Sequence, residues 1–189
     1  SEPKSREFEL GHSLGLGHSN SRDFGSEPLG GVGLSPKDIE YWDVFSTMGL
    51  SFSVGANYVL GHFAARQKAY LGWLSPSTGY QNIETSTTAT IHPYSAQTAD
   101  LKAVRVRRGA GIDEWLWLEY RQPTGSYDST LATYSSSAYS GALIHHERPN
   151  DSATATFLLD FNPTATPNEF KNAPLTAGAT WNDPYTNLT

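Results

Sequence analysis

The chain predicts an α+β fold: a helical part over residues 1–75, followed by an all-β, sandwich-like region over 76–189. Three observations carry this expectation. Caps and turn glycines frame two short helical stretches, one leading from Ser5 to the exit at Gly15 and one over 62–74. After residue 75 the helical spacing gives way to alternating apolar and polar residues, cut by Gly, Pro, Asn and Ser turns. At 189 residues without a cysteine, the chain fits one large domain or two small ones and has the length to bury a core without disulfides.

In order, Ser1-Glu2-Pro3-Lys4-Ser5 reads as a cap and first turn leading into a helix. Gly15 suits the exit from that helix, where a left-handed residue closes the last turn. Residues 19–34, with Gly25, Gly30, Gly31, Gly33 and Pro28, read as a surface loop. Ser35-Pro36-Lys37-Asp38 offers an N-cap, a first-turn proline and an acidic residue, so a short helix is expected over 35–42. A further helix over 62–74, closed by Gly72, shows its apolar stripe through Phe63, Ala64, Leu71 and Leu74. Strands are expected at 84–92, 102–108, 114–121, 142–146, 154–160 and 176–181. In Trp115-Leu116-Trp117-Leu118-Glu119-Tyr120 both faces are apolar, as in a central strand.

The chemistry concentrates in Phe8-Glu9-Leu10-Gly11-His12-Ser13-Leu14-Gly15-Leu16-Gly17-His18. Four of five positions match the extended zinc-peptidase signature H-E-x-x-H-x-x-G-x-x-H, and the first histidine is replaced by Phe8. On a helix, positions 8 and 12 share one face, Glu9 stands beside them, and a turn at Gly15 returns His18. This spacing assigns His12 and His18 as zinc ligands and Glu9 as the carboxylate that takes a proton from water. A phenyl ring has no lone pair to give a metal. Losing one of three ligands costs about two to four decades of zinc affinity, even with water or a carboxylate such as Glu7 completing the shell.

Together with Tyr41-Trp42-Asp43-Val44-Phe45-Ser46-Thr47-Met48-Gly49 and the segment His62 to Leu74, the motif resembles the gametolysin-type metzincins, secreted zinc endopeptidases. The resemblance implies the zinc-helix and Met-turn half of a metzincin, with Met48 forming the floor beneath the metal. Trp42 and Val44 depart from the usual lead into that turn, and Phe8 departs from the ligand set. The family also places a strand-bearing subdomain before the zinc helix. By that resemblance residues 1–75 are an incomplete peptidase core: either a fragment whose N-terminal segment or partner chain is missing, or a degenerate relative that has lost half its cleft. Leu118 to Pro123 and Leu158-Leu159-Asp160 resemble the sheet-rich part that follows such cores.

Composition bounds the partners. The formal charge is −6, from 13 basic and 19 acidic residues. This disfavours nucleic acid and anionic membrane, which attract basic patches. Arg105, Arg107 and Arg108 form the one tight basic run, read as a solvated strand face. No apolar run approaches the ~20 residues of a membrane span. The sequons at Asn150 and Asn187, with abundant Ser, Thr, Tyr and Gly, lean toward a secreted protein.

The remaining polar residues carry less specific chemistry. His62 is expected to be structural. His145 and His146, adjacent on a strand, point to opposite faces and cannot easily share a metal. Asp113, Glu114, Asp128 and Asp160 are oxygen ligands of the kind calcium takes, but without a recognisable loop spacing they read as solvated carboxylates. The leading expectation is therefore a zinc metalloendopeptidase acting on a protein or peptide. The competing one is an inactive pseudopeptidase, or a fragment, that binds protein or glycan outside the cell, with Tyr127, Tyr134 and Tyr139 as candidate glycan contacts.

Overall fold

The computed structural model describes residues 5–50, 52–54, 57–59, 61–163 and 170–189, with side chains of 52–54, 57 and 58 excepted. Residues 1–4, expected to supply a cap and first turn, lie outside the described residues. Helix α1 spans Arg6–Ser13, and its N-cap is Ser5, whose Oγ accepts from the Phe8 amide at 3.1 Å. It closes as expected: Gly15 sits at φ +87, its amide donates to the His12 carbonyl, and the Leu16 amide reaches Gly11. These two bonds form the Schellman closure, which a glycine at this φ permits without strain. Helix α2, Ala65–Tyr70, ends the same way at Gly72.

Eight strands form one mixed sheet. They are β1 (Ser19–Asp23), β2 (Lys37–Ile39), β5 (Tyr80–Ile83), β6 (Ala103–Arg107), β7 (Trp115–Tyr120), β8 (Gly141–Glu147), β9 (Thr156–Leu158) and β10 (Leu175–Thr176). The order is β2-β1-β9-β8-β7-β6-β5, with β10 pairing with β8. β1 runs parallel to β9, and β5 parallel to β6. Strands β3 (Phe52–Val54) and β4 (Asn57–Val59) make a separate hairpin. The sheet thus draws on both sides of residue 75.

Alternation along the central strands sends side chains to two covered faces. Leu143 and Leu158 pack on one side with Val44, Phe45 and Leu131, and there α2 places Ala65 against Trp117. Leu116, Ile144 and Leu159 pack on the other with Leu29, Trp181 and Leu188.

Several local expectations give way to these contacts. Residues 35–42 form no helix. Strand β2 lies there instead, because pairing with β1 lets Asp38 clamp the Arg22 guanidinium at 2.7 and 3.0 Å. The expected loop 19–34 begins with β1, whose Ser19, Ser21 and Arg22 are buried although polar. The first strand after residue 75 is β5, and 84–92 stays irregular. The region expected to be all-β also contains helix α3 (Gly125–Leu131) and a 3-10 turn, Ser136–Tyr139. Only part of the basic run is a solvated face: Arg107 pairs with Glu84 at the surface, Arg105 grips Glu147 half-buried, and buried Arg108 binds Glu114 and Asp183.

Candidate functional site

The turn after α1 gathers the rings that the motif had separated in sequence. His12 and His18 have ring centroids 5.1 Å apart, and Phe8 lies 4.7 Å from His12 and 6.0 Å from His18. Two imidazoles on one tetrahedral metal, each with a metal–nitrogen bond of about 2.0–2.1 Å, have centroids roughly 5 Å apart. The two histidines meet that spacing, and the phenyl occupies the third corner of the triangle.

Both histidines are oriented from behind. His12 Nδ1 lies 2.9 Å from the Leu16 carbonyl, which can only accept, so Nδ1 donates there. His18 Nδ1 lies 2.7 Å from Glu40 Oε1, and it donates to that carboxylate. In the neutral rings Nε2 therefore keeps the lone pair in both. A backbone carbonyl and a carboxylate behind the ring are the supports by which proteins fix a metal-binding tautomer. Tyr41 covers His18 at 4.2 Å, and its own backbone adopts φ +66, a conformation costing roughly 1–2 kcal/mol for a residue with a Cβ. The Tyr41 amide bond to Asn20 Oδ1, at 3.1 Å, helps hold it there.

Beneath the helix lies Met48, fully buried, in one cluster with Phe8 and Leu16. A Cβ at Gly11 would collide with the Met48 sulfur, so the absence of a side chain is what lets the turn sit against α1. The turn is fastened to the start of β1: the Ser19 amide donates to the Met48 carbonyl at 2.8 Å, and the Asp43 amide to Ser19. Gly49 has its Cα close against the Asp43 carbonyl, where no larger residue fits. Asp43 is itself anchored by buried His145, 2.8 Å away. Burial alone would lower the His145 pKa, but the Asp43 carboxylate outweighs it and raises it.

Glu9 is exposed on α1, one position beyond Phe8. The structure thus brings together Phe8, His12, His18 and Met48, and leaves the Glu9 side chain exposed on α1. Glu40 and Tyr41 complete the surroundings, and sequence reasoning missed both. They lie in the stretch read as helix, and no local pattern connects them to His18.

The remaining candidates stand elsewhere. His145 faces Asp43, and His146 faces Glu114 on the opposite side of the sheet. His62 accepts from Lys68 at 3.3 Å and lies 4.0 Å from Asp128. Burial, with Arg121 and Lys68 nearby, pushes its pKa down to about 3. The four carboxylates considered for calcium are dispersed: Asp113 accepts from Trp115, Glu114 from Arg108, Asp128 from Arg121, and Asp160 from the Asn162 amide. Of the three tyrosines, Tyr134 and Tyr139 pack against the core, and the Tyr139 hydroxyl donates to the Asp128 carbonyl. Only Tyr127 is broadly exposed among them.

The fit to a catalytic zinc is incomplete. Such a site takes three protein ligands and leaves one position open, and no group of three His, Cys, Asp or Glu side chains among the described residues is placed to hold a metal. No described helix is long and apolar enough to cross a membrane. Comparison of the chain with protein-family models, curated proteins and solved structures finds no match.

Proposed function

We propose that this chain is a secreted metzincin-like pseudopeptidase: a zinc-peptidase scaffold whose first ligand position has become a packing position, and which works by binding a protein or peptide rather than cleaving it. The observation that carries this reading is Phe8, 3 % exposed and packed with Leu16 and Met48 where a third imidazole would stand. Apolar packing stabilises the junction of α1 and the Met48 turn without a metal. A protein or peptide partner is supported by the large apolar side chains left exposed on and beside α1 and α2, among them Leu10 and Trp73 at 55 % and 56 %.

Metal analysis of the purified chain, beside Phe8→His, tests the proposal. The native chain is expected to carry far less than one equivalent of zinc and to leave casein intact, while the variant takes up zinc. Zinc near one equivalent in the native chain, with peptide cleavage abolished by Glu9→Gln, would overturn it.

One observation favours the second reading, an active zinc endopeptidase with Glu9 as general base. His12 and His18 keep the Nδ1 supports of metal-binding histidines. That enzyme would need its third ligand from outside the motif, from a partner chain or a further segment.

A further inference from the structure

Away from the histidine cluster, a cavity of about 530 Å3 opens between α2 and the irregular segment around residues 94–102. Lys68 and Lys102 line it together with His62, Trp73, Tyr94 and Thr98, and no carboxylate is among its lining residues. In a chain with six more acidic than basic residues, such a wall has an unbalanced sign.

Three carboxylates stand near this wall: Glu119 and Asp128, whose charges act on Lys68, and Asp100, next in sequence to the lining residue Ala99 and 3.8 Å from His92. Glu119 accepts from Arg121, from the Tyr94 hydroxyl at 2.8 Å and from the Ala65 amide at 2.6 Å. Asp128 accepts from Arg121 through Oδ1 at 3.0 Å, and its buried Oδ2, 4.0 Å from His62 Nε2, has no hydrogen-bond partner among the described residues. Glu119 and Asp128 thus offset Arg121 and one further charge at most. Lys102 spends its three N–H bonds on neutral oxygens, the carbonyls of Pro93 and Ala96 and the hydroxyl of Thr98. Lys68 gives one to His62 Nδ1 and rests over the Tyr94 ring at 4.3 Å. For its other N–H bonds the described residues supply no acceptor. Neither ammonium has a carboxylate within 4.0 Å among the described residues.

We infer that this cavity binds a small organic carboxylate with a flat apolar body, its anionic end on Lys68 in the field of Lys102 and its body against Trp73 and Tyr94. The volume lies within the range of ordinary small-molecule sites, and apolar walls with a few placed polar groups are their usual chemistry. Burial, with the Arg121 charge behind it, pushes Lys68 down to about 8. An arriving anion offsets that penalty, because an opposite charge favours the ammonium.

Benzoate titrated into the full chain, followed by the Trp73 indole N–H resonance and by calorimetry, tests the site. A Kd of about 1 mM or below is expected, the affinity within reach of a ligand this small. Benzyl alcohol, which keeps the ring and lacks the charge, should bind at least tenfold more weakly. Lys68→Met, which keeps the stem and removes the charge, should weaken benzoate at least tenfold. Trp73→Ala, at an exposed wall, should weaken it severalfold in a chain that melts normally. Brief acetylation read by peptide mass spectrometry gives an answer on the native chain alone: benzoate should shield Lys68 and leave exposed lysines unchanged. No saturable benzoate binding, equal binding of benzyl alcohol, or an unshielded Lys68 would each overturn the inference.

Discussion

Replacing Phe8 with histidine puts a third imidazole beside His12 and His18. The phenyl is buried against Leu16 and Met48, so without metal the exchange buries a polar ring with no prepared partner, at a cost of about 1–3 kcal/mol. For a chain of this length each kcal/mol moves the melting midpoint by about 2–4 °C, so metal-free Phe8→His should melt below the native chain by about 2–12 °C. Zinc supplied at a hundred times the variant's Kd returns about 2.7 kcal/mol, a rise of about 5–11 °C. The native chain, about two to four decades weaker with one ligand fewer, gains about 0.4 kcal/mol or less at the same zinc concentration, a shift under about 2 °C. Thermal melts with zinc and with chelator, run side by side, measure both numbers. An equal zinc shift in the native chain would show that Phe8 does not limit metal binding. A folded variant that zinc does not stabilise would show that the three rings are not placed to share a metal.

Further outcomes follow from neighbouring contacts. Gly11→Ala drives a methyl into the Met48 sulfur and should cost about 1–3 kcal/mol by overpacking; urea melts should also show that Met48→Ala relieves part of this loss, and strict additivity of the two would refute the contact. Glu119→Gln leaves buried Arg121 with Asp128 as its one carboxylate partner and should destabilise by about 3–5 kcal/mol, so a change within 1 kcal/mol in denaturant melts would contradict the buried pair. Burial alone would raise Glu119 and Glu114, but Arg121 holds the first, and His146, the Gly33 amide and Arg108 the second, down to about 2 from 4.5. Both therefore contribute stability above about pH 4.5 that is lost as pH falls toward about 2, and a urea midpoint flat between those values would count against it.

The parts legible in the sequence are those whose cause is local. Ser5 caps α1 within three residues, and Gly15 and Gly72 close their helices through bonds to the preceding turn. The doubly apolar run of β7 betrays a strand with both faces covered, and the gathering of His12 and His18 follows from helix spacing and one turn. What escaped depends on partners far along the chain. Strand β1, Ser-Asn-Ser-Arg-Asp, has no apolar face, and it is buried because Arg22 meets Asp38 and His146 from other strands and Asp151 from the turn between β8 and β9. Glu40 and Tyr41 reach His18 only because 37–39 pairs as a strand, and the cap signals at 35–38 point to a helix instead. In α3, Gly-Ser-Tyr-Asp-Ser-Thr-Leu has turn-like composition, and Asp128 and Leu131 gain their places from Arg121 and the core.

The parallel union of β1 with β9 sets the order in which these parts can come to rest. Arg22 and Asp151, which tie the two regions together, stand 129 positions apart in the chain, and closing so long a loop is slow and entropically costly before its contacts repay it. His18 immediately precedes β1, and the following Ser19 pairs with Thr156. On a ribosome the nascent chain can wind α1 early and bring Glu40 and Tyr41 to His18, but the strand that follows His18 has no partner on its β9 side until residues 156–158 have emerged. The histidine cluster thus leans on a strand far later in the sequence, so slow refolding should appear as a late gain of order at Ser19–Ser21 and the adjoining His18.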